Sequence, residues 1–365
     1  MKPPEIDELP AQPRKGRGAV TNRTGRYEAE TRHRTDDGWA HEDEAEDAPP
    51  LRTRLHVDTA RTIISRNESP DILFDRSVNP YRGCEHGCIY CFARPTHAWL
   101  GLSPGLDFET QLFYKPDAPE LLEAELRKPG YAPAVMALGT NTDPYQPVER
   151  ELKLTRRVIE VLARFNHPLG IVTKSALIAR DIDILAPMAE KGLAAACISL
   201  STLDRDLARA LEPRAATPPR RLETIRRLAE AGIPVAVLTS PIIPGLNDHT
   251  LEKVLDAAVA AGATAANWTL LRLPLEIAGL FQEWLEAHAP DRARRVMSLI
   301  RQTHGGKLYK SGFGERMRGE GPVAEMVRTR FNHAARKLGL DRKRWTLDTS
   351  QFSPPPRPGD QMSLF

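Results

Sequence analysis

The sequence predicts an α/β fold built on a parallel sheet, and three observations carry that expectation. Between about residues 55 and 275, six short β-rich runs alternate with helical runs. The apolar positions of the helical runs recur at the spacing of one helix face. Several runs are bounded by capping residues, prolines and glycines placed where helices start and stop. Strands separated by helices pair in parallel through right-handed crossovers. Periodicity alone does not separate an open sheet from a barrel.

The chain has 365 residues, of which 41% are hydrophobic and 27% charged, room for one large α/β domain with tails or for two domains. No apolar run approaches the ~20 residues of a membrane span, and the N-terminus lacks an apolar signal core, so a cytoplasmic protein without membrane contact is expected. The net charge of +3 is too small to argue for nucleic-acid binding by itself.

Residues 1–54 form a polar, Pro-rich arm, basic from Arg14 to Arg34 and acidic from Asp36 to Asp47. Such a segment buries too little apolar surface to offset chain entropy, so it is expected to be disordered or only draped on the core. Lys15-Gly16-Arg17-Gly18 reads either as part of a solubilising tail or as a tracker of a phosphate backbone. The six strands are expected at 77–81, 134–138, 170–173, 194–200, 235–239 and 266–271. Leu121, Leu122 and Leu126 share one helix face; Leu154, Val158, Val161 and Leu162 share another. The best-marked helix has Thr217 as N-cap, Pro218 and Pro219 in its first turn, a stripe of Leu222, Ile225, Leu228 and Ala229, and Gly232 as its stop.

Residues 276–348 read as a helical basic extension. Leu280, Trp284 and Leu285 open it, Gly312-Phe313-Gly314 interrupts it, and Arg292, Arg294, Arg295, Arg301, Arg316, Arg318, Arg328 and Arg330 populate it. It is either a layer closing the open side of the fold or a basic wall for a polyanion. Residues 349–365 are a flexible Pro-rich tail.

The chemistry centres on Asn79-Pro80-Tyr81-Arg82-Gly83-Cys84-Glu85-His86-Gly87-Cys88-Ile89-Tyr90-Cys91, which holds three of the four cysteines as Cys-x3-Cys-x2-Cys. Three thiolates this close can bind three irons of a cubane and leave the fourth iron open to a small molecule. A structural zinc site wants a fourth Cys or His at short range, for which His86 and His97 are candidates. Three clustered cysteines and one distant one do not make a disulfide framework.

Cys84, Cys88, Tyr90 and Cys91 match the Cys-x3-Cys-x-aromatic-Cys signature, and the chain resembles the radical S-adenosylmethionine (radical SAM) superfamily. The run from Asn79 to Arg94 resembles the branch that includes spore photoproduct lyase. The resemblance covers residues 55–275. It implies a partial (β/α)6 barrel with the cysteine loop at the C-terminal face, where barrel active sites form. It also implies a [4Fe–4S] cluster on Cys84, Cys88 and Cys91, S-adenosylmethionine chelated at the open iron, and an external electron donor. Reductive cleavage then yields a 5′-deoxyadenosyl radical.

The same resemblance assigns further cofactor contacts. Tyr90 is a packing residue or a neighbour of the adenine. Gly139, Thr140, Asn141 and Asp143, after the second strand, would grip the methionine amine, although a polar turn before a helix is also an ordinary cap. Lys174, at the open end of the third strand, suits a carboxylate or phosphate, or is a surface lysine. Strand alternation puts Cys197, Ser199 and Ser201 on one face; the serines are candidates for the ribose, and Cys197 reads as a small buried core residue. Arg214 would fork onto the methionine carboxylate, and Ile243 and Asn247 would pack on the adenine. Spore photoproduct lyase needs a donor cysteine near its substrate, and no cysteine occurs here near the second strand or its loop.

Gln361-Met362-Ser363-Leu364-Phe365 resembles the peptide by which bacterial repair proteins bind the DNA sliding clamp. Met362, Leu364 and Phe365 would fill an apolar groove while Gln361 adds hydrogen bonds. The expectation is thus a radical enzyme acting on nucleic acid, DNA first, as a lyase-like repair enzyme. The alternatives are a radical enzyme acting on RNA or protein, and a clamp-associated DNA-binding protein whose cluster is structural or redox-sensing.

Overall fold

A computed structural model describes residues 12–31, 51–72, 74–341 and 345–356. The clamp-like residues Gln361, Met362, Leu364 and Phe365 lie outside the described residues.

The described strands fall into two sheets. The larger is made of β2 (Ile64–Arg66), β3 (Arg76–Val78), β6 (Met136–Leu138), β7 (Leu169–Thr173), β8 (Ala194–Ser199), β9 (Val235–Ile242) and β10 (Ala265–Leu270). Its spatial order is β10-β9-β8-β7-β6-β3-β2. The six strands from β3 onward pair in parallel, and β2 adds an antiparallel edge. The smaller sheet joins β1 (Arg54–Val57), β4 (Tyr81–Arg82) and β5 (Gln111–Tyr114) in the order β1-β5-β4. The helices between strands are α1 (Asp107–Thr110), α2 (Ala118–Leu126), α3 (Glu149–Leu152), α4 (Leu154–Arg164), α5 (Ile182–Glu190), α6 (Arg205–Leu211), α7 (Pro218–Glu230) and α8 (Leu251–Ala260). After β10 come α9 (Ile277–His288), α10 (Pro290–Gln302), α11 (Glu315–Arg318) and α12 (Gly321–Lys337). This is the partial (β/α)6 barrel.

Each parallel strand presents alternate residues to the helices. Leu169 and Ile171, Ala194, Ala196 and Ile198, Val235 and Val237, and Trp268 and Leu270 join one core with Leu122 and Leu126 of α2 and Val158 and Leu162 of α4. Fully burying such aliphatic side chains contributes about 1.5–3 kcal/mol each. The other face of the strands is thinly furnished. Gly170, Val172, Ala195, Cys197, Ala236 and Ser240 are all partly exposed, so the barrel interior is not filled by side chains. Cys197 therefore corrects the sequence reading. It stands on that interior face beside Val172 and Ala236, outside the apolar core, because its small neighbours leave the space open.

The sheet edges β10 and β2 do not pair. The segment round Gly312-Phe313-Gly314 crosses between them. Arg318 donates to Trp268 O (2.8 Å) on β10, while Gly314 N–H donates to Asp71 Oδ1 (2.6 Å) and Arg316 pairs with Asp71 beside β2. Arg328 and Arg330 pair with Glu325 and Glu252. These four arginines are engaged within the fold, which fits the closing-layer reading; Arg292, Arg294, Arg295 and Arg301 stay solvent-exposed.

Residues 12–31 are draped on the core. Arg17 is buried; its guanidinium donates to Glu109 O (2.8 Å) and to Leu51 O. It therefore braces the fold, and of the two readings of Lys15-Gly16-Arg17-Gly18, phosphate tracking does not hold for Arg17.

Candidate active site

The cysteine loop starts where β3 ends, at the C-terminal edge of the parallel sheet. Gly83 and Gly87 take left-handed φ values of 76° and 66°. A Cβ on Gly83 would lie 2.7 Å from Leu112 Cδ2 and 2.9 Å from Phe108 O, so glycine is required. The loop backbone is pinned from several elements. Cys84 N–H donates to Phe108 O (3.0 Å) and Ile89 N–H to Leu211 O (3.1 Å). The Gln146 side chain accepts from Glu85 N–H (2.9 Å) and donates to Gly83 O (3.3 Å).

A buried ion pair underlies the loop. Arg94 is fully buried and donates to Cys88 O (2.9 Å), Gly87 O (3.0 Å) and the Glu109 carboxylate (2.6 Å). Glu109, also fully buried, accepts from Gly18 N–H (2.9 Å) and Ala19 N–H (2.8 Å) as well. Gly18 presses so close that a Cβ there would stand 1.7 Å from Gly87 O.

Cys84, Cys88 and Cys91 are free thiols, the first two buried and the third partly so. Burial pushes the Cys84 thiol well up, with Asp143 and the other two thiols adding to it. Burial likewise pushes Cys88 up to about 12. Buried thiolates are costly unless a cation compensates them, which is what iron provides. Among the described residues, no three His, Cys, Asp or Glu side chains are placed to hold one ion. That argues against mononuclear zinc; a cubane, in contrast, spreads its ligands over separate irons. His97 is buried and bonds Gln111 O through Nε2 (2.9 Å), while its Nδ1 has no hydrogen-bond partner among the described residues. The donor set fits an iron–sulfur cluster with one iron lacking a protein ligand.

Beside the thiols lies a buried polar network. The Tyr90 hydroxyl donates to Glu212, which Arg221 pairs from the other side. Arg221 also donates to Ser199 O (2.9 Å) and Ala216 O (2.7 Å), and Ser201 Oγ lies 3.5 Å from Glu212. Burial pushes the Glu212 carboxyl up, but Arg221 and Lys174 outweigh it and hold it below the usual range. Lys174 Nζ sits 5.8 Å from the Tyr90 ring centre. Burial works against its ammonium, yet Cys88 and Glu212 raise its pKa. Lys174 is thus a half-buried cation beside the thiols and Glu212.

The turn after β6 is tightly bound. Gly139 (φ 89°) leaves no room for a Cβ, which would lie 2.0 Å from Val172 O. Asn79 accepts from Asn141 N–H (3.1 Å) and donates to Thr140 Oγ1 (3.2 Å). Asp143 accepts from the Thr173 hydroxyl (2.7 Å), Lys174 N–H (2.8 Å) and Tyr145 N–H (2.9 Å). Its Oδ2 stands 3.2 Å from His86 Nδ1, an ion-pair distance without hydrogen-bond alignment. Burial raises the Asp143 carboxyl, but His86 and these donors hold it down at about 2. Asp143 therefore staples the β6 turn to β7 and to the cysteine loop; its bond from Tyr145 N–H closes a local turn and does not cap α3, whose N-cap is Val148.

The remaining sequence-predicted residues are placed as follows. Arg214 pairs with Glu85 (2.9 Å) at the rim. Ser199 Oγ donates to Ser240 O (3.3 Å). Ile243 is fully buried, and Asn247 spends its side chain on Ile243 N–H (2.7 Å), Ser201 O (2.9 Å) and Pro241 O (3.0 Å). Both shape the loop after β9, and neither offers a free polar group.

Known proteins resemble this chain in sequence and fold. The family model of the radical SAM superfamily matches residues 78–258. An uncharacterized protein of Mycobacterium tuberculosis is 39% identical over 231 residues, 63% of this chain and 68% of the relative. The chain belongs to the radical SAM superfamily. An uncharacterized protein of Methanocaldococcus jannaschii is 28% identical over 173 residues, 47% of this chain and 61% of the relative. Spore photoproduct lyase complexed with dinucleoside spore photoproduct is similar in fold, with a TM-score of 0.56 and 14% identity over 78% of this chain and 79% of that one. Radical SAM proteins use a [4Fe–4S] cluster and S-adenosylmethionine.

Three features of this radical SAM site escaped the sequence reading. Glu212 stands two residues before Arg214 and has no pattern of its own. Arg221 carried a signal: it lies four and seven residues before Ile225 and Leu228 on the buried face of α7, an unusual place for a charge. Arg272 lies 4.5 Å over the Phe92 ring, next to Cys91, and makes no hydrogen bond or ion pair among the described residues.

Proposed function

We propose that this chain reductively cleaves S-adenosylmethionine and uses the resulting radical on a nucleic acid, DNA in the first instance, in a lyase-like reaction. The observation that carries the reading is the set of three free thiols in a pinned loop at the barrel mouth. When bound, the reduced cluster supplies the electron that splits the sulfonium into methionine and a 5′-deoxyadenosyl radical. Cys84, Cys88 and Cys91 would hold it. Arg94 keeps the loop carbonyls fixed, and Gln146 keeps Glu85 and Gly83 in place. Tyr90, Glu212, Arg221 and Lys174 form a charged wall beside the thiols. That wall suits the zwitterionic end of S-adenosylmethionine. Ser199, at the end of β8, and Ser201, two residues beyond, would supply hydroxyls for the ribose.

The nucleic-acid part rests on the fold likeness to a lyase solved with a dinucleoside photoproduct. The protein would work in the cytoplasm with an external electron donor; among the described residues no helix is long and apolar enough to cross a membrane. The test is anaerobic. With the reconstituted protein, S-adenosylmethionine and dithionite, 5′-deoxyadenosine is quantified with and without UV-damaged duplex DNA. Stimulation by the damaged DNA is expected. Formation indifferent to DNA would move the substrate to RNA or protein.

A further inference from the structure

A cavity of about 270 Å³ opens beside the cysteine loop, at the C-terminal ends of β6, β7 and β8. His86, Tyr145, Arg150, Arg214, Thr217 and Arg220 line it. Three guanidinium groups thus line one space, from α3 (Arg150), the loop before α7 (Arg214) and the first turn of α7 (Arg220). Only Arg214 has an acidic partner, Glu85. Arg150 and Arg220 are exposed and make no side-chain ion pair or hydrogen bond among the described residues. On the neighbouring helices Arg156, Arg157, Arg164, Arg180 and Arg226 are each paired with a carboxylate, whereas Arg205, Arg209 and Arg227, like Arg150 and Arg220, have no such partner among the described residues.

One further feature suits an anion. The N-terminus of α7, thirteen residues long, opens onto the cavity at Thr217, whose side chain makes no capping hydrogen bond. Pro218 and Pro219 there lack N–H groups, so the helix dipole rather than free amide donors favours an anion at this end. The Tyr145 hydroxyl in the same wall is buried beside the Asp181 carboxylate. No residue of the cavity lining itself carries a carboxylate. Guanidinium forks match phosphate oxygens in pairs, and three forks round one cavity exceed what a single carboxylate uses.

We propose that this cavity is a phosphate-binding subsite, in which Arg150 and Arg220, with Arg214 at the inner rim, hold a phosphodiester of a nucleic-acid strand beside the cysteine loop. The identity of the strand rests on the nucleic-acid reading above; the anion site does not. The subsite would fix the strand's register, leaving the choice of base to other contacts.

The experiment compares the full-length reconstituted protein with the double variant R150A/R220A. Both side chains are exposed, so the variant should fold, and 5′-deoxyadenosine formation without substrate should be unchanged. Fluorescence anisotropy then measures binding of a labelled single strand of about 12 nucleotides. Losing two phosphate contacts should flatten the slope of log K against log salt by about 1.4 and weaken binding roughly 60-fold at about 50 mM salt. Separately, thermal midpoints are compared in inorganic phosphate and in chloride of equal ionic strength. Phosphate should raise the midpoint of the wild type and not of the variant. Equal affinity and equal slope in the two proteins, with the same phosphate response, overturn the proposal. A phosphate effect lost in the variant, with no strand binding by either protein, upholds the anion site and rejects the nucleic acid.

Discussion

Replacing Glu109 with glutamine tests the support beneath the cysteine loop. The change keeps the shape and one acceptor oxygen but removes the charge opposite a fully buried Arg94. Breaking one side of a buried pair costs about 3–5 kcal/mol, because the other charge stays buried without compensation. Glu109 also receives Gly18 N–H and Ala19 N–H, and glutamine serves both poorly. At about 2 °C per kcal/mol for a chain of this size, the melting midpoint should fall by roughly 6–10 °C. The loop should suffer with it, since the Gly87 and Cys88 carbonyls depend on the same guanidinium. The assay is a thermal scan of the reduced apoprotein together with iron and sulfide content after reconstitution. A control, Arg94→Met with Glu109→Leu, removes both charges and should recover part of the lost stability. A midpoint within about 1 °C of wild type for E109Q, with full iron content, would refute the inference that an uncompensated buried charge undermines the loop.

Other outcomes follow from the same contacts. Gly18→Ala places a Cβ 1.7 Å from Gly87 O, so limited proteolysis should cut the N-terminal segment faster while the core stays resistant. Burial drives the pKa of both His97 and His167 down to about 4. Because the folded values lie below the unfolded one near 6.5, the stabilisation is complete above that pH. It is lost between about pH 6.5 and 4 at up to ~1.4 kcal/mol per unit for each histidine. Urea midpoints should therefore fall on acidification through that window, and more shallowly in His97→Gln; identical pH profiles would count against it. The reading of residues 361–365 as a clamp ligand is a proposal from the sequence alone; on it, the full chain should bind a bacterial sliding clamp by surface plasmon resonance, and deleting those residues should abolish the binding and leave 5′-deoxyadenosine formation intact. Unchanged clamp affinity would make that pentapeptide match accidental.

The architecture was largely legible because the strands and helices carry their own local signals. The stripe of α4 and the Thr217-Pro218-Pro219 start of α7 depend only on neighbouring residues. The small sheet of β1, β4 and β5 was not legible: its strands have two to four residues each and pair across the cysteine loop. The thiol ligands were readable from spacing, since a cluster needs its cysteines close together. The residues that support them were not. Gln146, Glu109 and Glu212 act through contacts to residues 61, 91 and 122 positions away, Arg94 acts through a buried pair with Glu109, and Arg221, despite its place on the buried face of α7, gains its role only from that Glu212. The sequence allowed an arm draped on the core, and residues 12–31 are so draped; what it did not show is the anchor, a buried carboxylate on α1 that receives Gly18 N–H and Ala19 N–H. Cys197 misled, because strand alternation gave its face correctly but not whether that face was filled.

The central claim is that Cys84, Cys88 and Cys91 hold a cluster that cleaves S-adenosylmethionine. The most direct measurement is 5′-deoxyadenosine formed anaerobically with dithionite, by wild type and by Cys88→Ala, alongside the ~400 nm iron–sulfur absorbance. The account predicts absorbance and product in the wild type and neither in the variant, since the loop offers no spare thiolate. A variant that keeps both, or a wild type that holds a full cluster and makes no 5′-deoxyadenosine, would contradict it.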